Sequence, residues 1–155
     1  MMERWIKPAF AVIGLEGRCP AEDGGNAVQR LWDEANRRFP EVAPLAKTGE
    51  SGLVGVWGAM TDESRTFRPW EDGFTRGLYL AGVECRDDAQ PPQGWVRWDV
   101  PGFEYLRVLN DGPDVFQRTL AQMEAEGLTL AGAVQDFTDP ATGRGYMCFP
   151  VRRLD

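Results

Sequence analysis

The chain predicts an α+β fold: two β-α-β-β halves in succession, forming one curved antiparallel sheet with two helices on one face and a ligand cleft on the other. Three observations predict it. Apolar runs of strand length alternate with two segments of helical period. The order strand, helix, hairpin occurs twice, over about 5–88 and about 94–155. The 155 residues, 43% of them hydrophobic, suffice for one core and one domain spanning 1–155.

The elements follow in order. Phe10-Ala11-Val12-Ile13-Gly14-Leu15 is apolar and partly β-branched, which predicts a strand. A polar, glycine-bearing turn runs to Gly24-Gly25-Asn26, where Asn26 suits a helix cap with Gln29 as its capping-box partner. Val28, Leu31, Trp32, Ala35 and Phe39 then recur at spacings of three and four, one apolar stripe against a sheet, and Pro40 ends the helix. Residues 52–60 read as the second strand. A long polar and aromatic connection, 61–76, leads to the third strand, 78–85. Residues 87–94, charged and then proline-rich, are the clearest break.

In the second half, 103–109 alternates as a half-buried strand. Asp111-Gly112-Pro113 starts a helix with proline in its first turn. Phe116, Leu120 and Met123 make its stripe, and Gly127 stops it. Residues 128–137 and 146–151 are the closing strands, joined by a turn over 139–145.

Composition excludes several function classes. No apolar run reaches the length of a membrane span, and Met1-Met2-Glu3-Arg4-Trp5 lacks a signal-peptide core, so a cytoplasmic protein is expected. A net charge of −7 argues against a nucleic-acid partner and mildly favours cationic ligands. With no histidine, Ser-His-Asp, Cys-His and imidazole–zinc chemistry are excluded. Cys19, Cys85 and Cys148 are odd in number and far apart, which fits free thiols and no metal site; Cys19 is the one expected to be exposed. No cofactor motif is present.

The residues that carry chemistry are an acid and a set of rings. Glu84 stands in the apolar strand Tyr79-Leu80-Ala81-Gly82-Val83-Glu84-Cys85. A carboxylate there must meet a cation or hydrogen-bond donors, because an unpaired buried charge is costly. It is therefore either a cleft acid or a structural carboxylate satisfied by backbone amides or an arginine such as Arg107. Six tryptophans accompany it. Trp57 precedes Gly58, which leaves room for close approach of another group. Trp70 lies in the 61–76 connection, either as a lid or in a small cluster with Phe67 and Phe74. Trp32, on the helix stripe, reads as core. Trp98 either borders the cleft or packs at the join of the halves. Glu104, Tyr105 and Tyr146 lie on strands and reach either a cleft or water.

Phe10-Ala11-Val12-Ile13-Gly14, Trp57-Gly58, the Tyr79-to-Glu84 strand, the stretch from Gly94 to Trp98, Val100-Pro101 with Tyr105, and the closing Phe149-Pro150-Val151 occur in the order and spacing of the GyrI-like small-molecule-binding domain. The chain resembles that family over nearly its whole length. The family includes effector-binding domains of AraC-type and MerR-type multidrug regulators, gyrase-inhibitor-like proteins and integron-cassette drug binders. Its Trp-Gly-Ala segment and Phe-Arg-Pro-Trp connection make the chain most similar to stand-alone members.

The resemblance implies a concave antiparallel sheet and a central cleft for lipophilic, often cationic, molecules. It implies a lining of Trp57, Trp70, Tyr79, Glu84, Trp98, Phe103, Tyr105, Gln135, Phe137 and Tyr146. In the multidrug regulators a late glutamate, in a segment like Phe-Glu-x-Tyr, meets the ligand's positive charge. The matching stretch is Val134-Gln135-Asp136-Phe137, so Gln135 holds that place. Glutamine hydrogen-bonds but carries no counter-charge. The charge then moves to Asp136, Glu84 or Glu104.

The leading expectation is a stand-alone binding protein that senses or sequesters a cationic or aromatic organic molecule, weakened by Glu84→Gln. A second is a hydrolase of strained electrophiles such as cyclopropane-containing genotoxins, a reaction the resemblance implies. A carboxylate, Glu84 or Glu104, would activate water and a tyrosine, Tyr105 or Tyr146, would donate a proton. A third is a protein-interaction module of the gyrase-inhibitor type, with a protein partner or a homodimer. No membrane partner and no DNA-binding segment are expected.

Overall fold

The computed structural model describes residues 2–18, 25–50 and 52–154. In chain order the elements are β1 (Met2–Lys7), β2 (Phe10–Arg18), α1 (Asn26–Arg37), β3 (Thr48–Gly49), β4 (Gly52–Leu53), β5 (Val56–Thr61), the single turn α2 (Glu71–Phe74), β6 (Leu78–Cys85), β7 (Val96–Val100), β8 (Phe103–Leu109), α3 (Val115–Ala125), β9 (Gln135–Thr138) and β10 (Gly145–Arg153). Eight strands form one antiparallel sheet in the order β1-β8-β10-β9-β5-β6-β2-β7, and β3 and β4 form a separate small hairpin.

That order forces the sheet to curl. β1 and β2 stand six places apart in it, yet only Pro8-Ala9 joins them. On a flat sheet six strand spacings would be about 29 Å, whereas such a linker reaches at most about 11 Å. Pro101-Gly102 ties β7 to β8 under the same constraint. The two linkers touch: a Cβ on Gly102 would lie 3.0 Å from the Ala9 amide nitrogen. Gly14 and Gly82 face each other across β2 and β6, and a Cβ on either would run into the opposite backbone. Only glycine permits that approach.

Two halves occupy matching places. Outward from the central β5–β9 pair run β5, β6, β2 on one side and β9, β10, β8 on the other. β1 and β7 each flank the other half's outer strand. On the outer face, Val28, Leu31, Trp32 and Ala35 of α1 pack over alternate residues of β2 and β6. Val115, Phe116, Leu120 and Met123 of α3 pack over Leu106, Val108 and Phe149. Both helices thus share one face, as expected.

The inner face holds the rings. Phe10, Trp57, Trp98, Phe103, Tyr105 and Phe137 cluster there with Val12, Leu80 and Cys148. Trp5 of β1 stacks on Trp57 of β5 at 6.1 Å, four places away in the sheet. The hollow expected on the face away from the helices is therefore filled by side chains, because the curl brings strands with large aromatic residues to opposite sides of one small space.

Glu84 sits in that space, 3% exposed. Its Oε2 accepts from Lys7 Nζ at 3.1 Å and its Oε1 from Trp57 Nε1 at 3.0 Å. The Lys7 ammonium lies 4.5 Å from the Phe10 ring centroid and 5.6 and 5.7 Å from those of Trp5 and Trp57. A cation among ring faces is attracted by their quadrupoles. The aromatic hollow with one carboxylate is real, and the chain supplies its own cation. The partner is Lys7 and not Arg107, which pairs with Glu3.

Several elements differ from expectation. β1 carries Glu3, Arg4 and Lys7 and β7 carries Arg97 and Asp99, charges of the kind edge strands bear, and so neither stands out as an apolar run. β9 starts only at Gln135; the stretch before it is a crossing loop whose Ala131 and Ala133 amides bond to Pro150 and Phe67 carbonyls. The 52–60 run is split by Gly55 between β4 and β5. Asn26 is the first helical residue, after Gly25 at φ +85°, and Gln29 bonds Asp33 instead of a cap. Cys19 lies outside the described residues.

Removing one member of a buried pair strands the other charge, at a cost of about 3–5 kcal/mol. Lys7→Met is expected to destabilise by that amount in urea unfolding. Adding Glu84→Gln, whose amide oxygen still accepts from Trp57, should recover most of the loss. Additive losses in the double variant would contradict the pairing.

Candidate functional site

The helices cover their own halves and leave the seam between them open. There, on the outer face, lies a cavity of about 360 Å³. Met60 of β5, Tyr79 of β6, Val134 and Asp136 from the β9 region and Met147 of β10 form its floor. Val28 and Gln29 of α1 and Phe116 of α3 form its walls, and Trp70 and Phe74 its roof. An apolar, aromatic lining around a few polar groups is the usual composition of an organic-ligand pocket.

Strand alternation delivers the one acid. Gln135 and Phe137 of β9 point to the inner face, so Asp136 between them points into the cavity. Tyr79 Oη donates to Asp136 Oδ2 over a long 3.4 Å, and Trp32 Nε1 donates to Tyr79 Oη at 3.0 Å. Gly58 makes this possible, since a Cβ there would strike the Tyr79 hydroxyl. Burial pushes the Asp136 carboxyl up to about 6, against the opposing pull of the Tyr79 hydrogen bond. Among the described residues no lysine or arginine lies within ion-pairing distance of Asp136. The site offers a carboxylate without a cation, among aromatic and thioether side chains.

The roof is a strained loop over residues 61–77. Arg65, Phe67, Asp72 and Phe74 all have φ between +52° and +67°, which costs roughly 1 kcal/mol or more for each non-glycine residue. Asp62 holds the loop. Burial would raise its carboxyl, but bonds from the Thr66 hydroxyl and amide, the Thr61 hydroxyl and the Arg68 amide hold it down at about 2. Trp70 lies flat over Gly77, where a Cβ would collide with the indole, and its Nε1 donates to the Leu78 carbonyl at 3.2 Å. Phe74 meets Phe116 edge-on at 5.1 Å, closing the roof onto α3. Phe67 instead packs against Trp98, so Trp70, Phe67 and Phe74 do not form one cluster.

Of the expected lining, only Trp70 and Tyr79 reach this cavity. Trp57, Glu84, Trp98, Phe103, Tyr105 and Phe137 lie on the inner face. Trp98 Nε1 is bonded to Glu16, which Arg65 also clamps. Tyr146 stacks on Phe137 and under the Arg107 guanidinium. Gln135 is fully buried, and its amide is used on the Met60 N–H and the Met60 and Ala133 carbonyls. Glu104 is held by Arg4 and Arg152, whose hydrogen bonds lower its carboxyl. Tyr105 has a fully buried hydroxyl with no hydrogen-bond partner among the described residues, and desolvation raises it. The acid–tyrosine pairs drawn from Glu84, Glu104, Tyr105 and Tyr146 thus lie outside the cavity. Met60, Met147, Phe116 and Val28 were not legible as lining; each sits on an ordinary apolar stripe that happens to end at the seam. Among the described residues no three of His, Cys, Asp and Glu converge as metal ligands.

No protein-family model matches the chain, and no curated protein matches it in sequence. Solved structures do match. The integron cassette protein VCH_CASS2 from the mobile metagenome of Vibrio cholerae is 19% identical, with TM-score 0.60, over 97% of this chain and 95% of that one. SAV2435, in a structure bound to tetraphenylphosphonium, is 13% identical, with TM-score 0.62, over 98% of this chain and 94% of that one. EcmrR, in a complex with DNA, is 11% identical with TM-score 0.69; 99% of this chain matches 58% of that one. The fold of this chain is therefore the one these proteins share, the curved antiparallel α+β fold implied by its resemblance to GyrI-like domains.

Proposed function

We propose that this protein binds lipophilic organic cations at the β5–β9 seam, with Asp136 as the counter-charge, and acts as a sensor or sequestering protein. The observation that carries this reading is the carboxylate that meets no cation inside an aromatic-walled cavity. The rings and methionines supply dispersion and cation–π attraction, and a bound cation removes the cost of ionising Asp136. The tetraphenylphosphonium bound to SAV2435, which has the same fold, supports the reading. A cytoplasmic setting goes with it: Cys85 and Cys148 are free buried thiols, suited to a reducing compartment. No described helix is long and apolar enough to cross a membrane.

One observation favours a second reading. A phenol, Tyr79, and a carboxyl titrating near 6, Asp136, face the same cavity. That pairing suits hydrolysis of a strained electrophile, with Asp136 activating water and the Tyr79 phenol giving a proton to the leaving oxygen. Product formed from such an electrophile by the parent and lost in Tyr79→Phe would favour it; stoichiometric binding without product would remove it.

Tetraphenylphosphonium, whose charge does not depend on pH, is the test ligand. Calorimetry should find one site. Asp136→Asn should weaken binding about tenfold or more, while Glu84→Gln should leave affinity unchanged in protein that remains folded. Equal affinity in Asp136→Asn would reject the reading.

Asp136 also sets two pH dependences. Its carboxyl is raised from 3.8 to about 6 in the fold, so the folded state binds the extra proton between these values. Folding stability from this group therefore falls as pH rises through that window. Asp136→Asn should melt higher than the parent above about pH 6 and lack that fall. Parent affinity for the phosphonium should drop as pH falls below about 6, where the acid is neutral.

A further inference from the structure

A second, smaller cavity of about 190 Å³ lies on the same outer face. It is lined by Val56 of β5, Val83 of β6, Leu53 of β4, Ala35 and Asn36 of α1, and the Trp32 indole. The strand register aligns it with the seam cavity. Met60 pairs with Tyr79 under the first cavity, and Val56 pairs with Val83 under the second. Between them the paired residues are Gly58 and Ala81, two small side chains, with the Tyr79 phenol lying over Gly58. On α1, Val28 borders the first cavity and Trp32, one turn on, borders the second. What separates the two is the Trp32 indole together with the Tyr79 phenol, whose hydroxyl accepts from Trp32 Nε1 at 3.0 Å.

We infer that the two cavities are subsites of one elongated site. Its ligand is a lipophilic cation with a flexible apolar arm: the charge sits over Asp136, and the arm passes beside the Tyr79 phenol into the Val56–Val83 cavity. This rests on the cation-binding reading of the seam. The geometry commits the occupant. The second cavity holds no charged side chain among its lining, so it suits hydrocarbon. Its acid lies at the other end, behind Tyr79. The partition is the half-buried Trp32 indole and the Tyr79 phenol over Gly58, joined by one neutral hydrogen bond, so entry of the arm requires that Trp32 turn aside and that the phenol yield beside it. Trp32 is thereby a specificity-determining residue: it keeps compact cations in the first subsite and yields to those with an arm.

A series of n-alkyltriphenylphosphonium ions, from methyl to decyl, tests this by calorimetry at pH 8. In the wild-type protein affinity should rise with chain length, about fourfold per methylene over the first few, and then level off. Val56→Phe places a large ring in the second cavity, at a position that does not line the first. It should abolish the rise while leaving methyltriphenylphosphonium within about twofold of wild type. Asn36→Trp, at an exposed position on the rim, should do the same if Val56→Phe does not fold. A flat series in wild type, or an undiminished rise in folded blocking variants, overturns the inference and leaves the seam site standing. Failure of even the methyl compound to bind overturns both.

Discussion

Two linkers of two residues each bear the geometry of this protein. Pro8-Ala9 and Pro101-Gly102 tie strands that the pairing order places six positions apart, and they can do so only if the sheet rolls up until its edges meet. Rolling divides the sheet into two unlike faces. The inner one becomes too small for anything but side chains, and Trp5, Trp57, Phe103, Tyr105 and Phe137 fill it. The outer one is broad, and two helices cannot cover it. The uncovered strip is the seam, and the seam is where the cavity is.

The same division assigns opposite fates to two acids. Glu84 on the inner face and Asp136 on the outer both stand among aromatic residues. Glu84 has Lys7, carried in on the rolled-up edge strand β1, and the indole N–H of Trp57. Its charge is satisfied within the chain, and its role is to hold β1 in the roll. Asp136 has one long bond from a phenol. Its desolvation is not offset by a cation as that of Glu84 is by Lys7, and a binding site is the ordinary place for such an uncompensated cost. One sheet thus holds its own cation in a cage on one face and, on the reading proposed above, a receptor for an external cation on the other.

The loop over residues 61–77 roofs the seam cavity with Trp70 and Phe74. Arg65 and Phe67, two of its four non-glycine residues in left-handed conformations, are kept in place by the Asp62 bonds and by the Arg65–Glu16–Trp98 cluster that pins the loop to the inner core. Trp70 is held over the cavity by the Leu78 carbonyl and Phe74 by the Phe116 ring.

Sequence alone determined what depends on local pattern. The helical stripes of α1 and α3, the strands β2, β6, β8 and β10, the break over 87–94 and the room beside Trp57 at Gly58 all follow from periodicity and residue size over a few neighbours. The order of short motifs was enough to indicate the fold. It also singled out Glu84 as an acid needing a partner, and left Asp136 among the places where a counter-charge belongs. Only the tertiary structure decided which acid is spent. Lys7 is 77 residues from Glu84, and Trp32 is 47 from Tyr79. Such pairings are set by sheet order and by which face a strand turns inward, and a one-residue change in either would exchange the roles of Gln135 and Asp136. Alternation states that neighbouring residues face opposite ways; only closure of the sheet states which way is in.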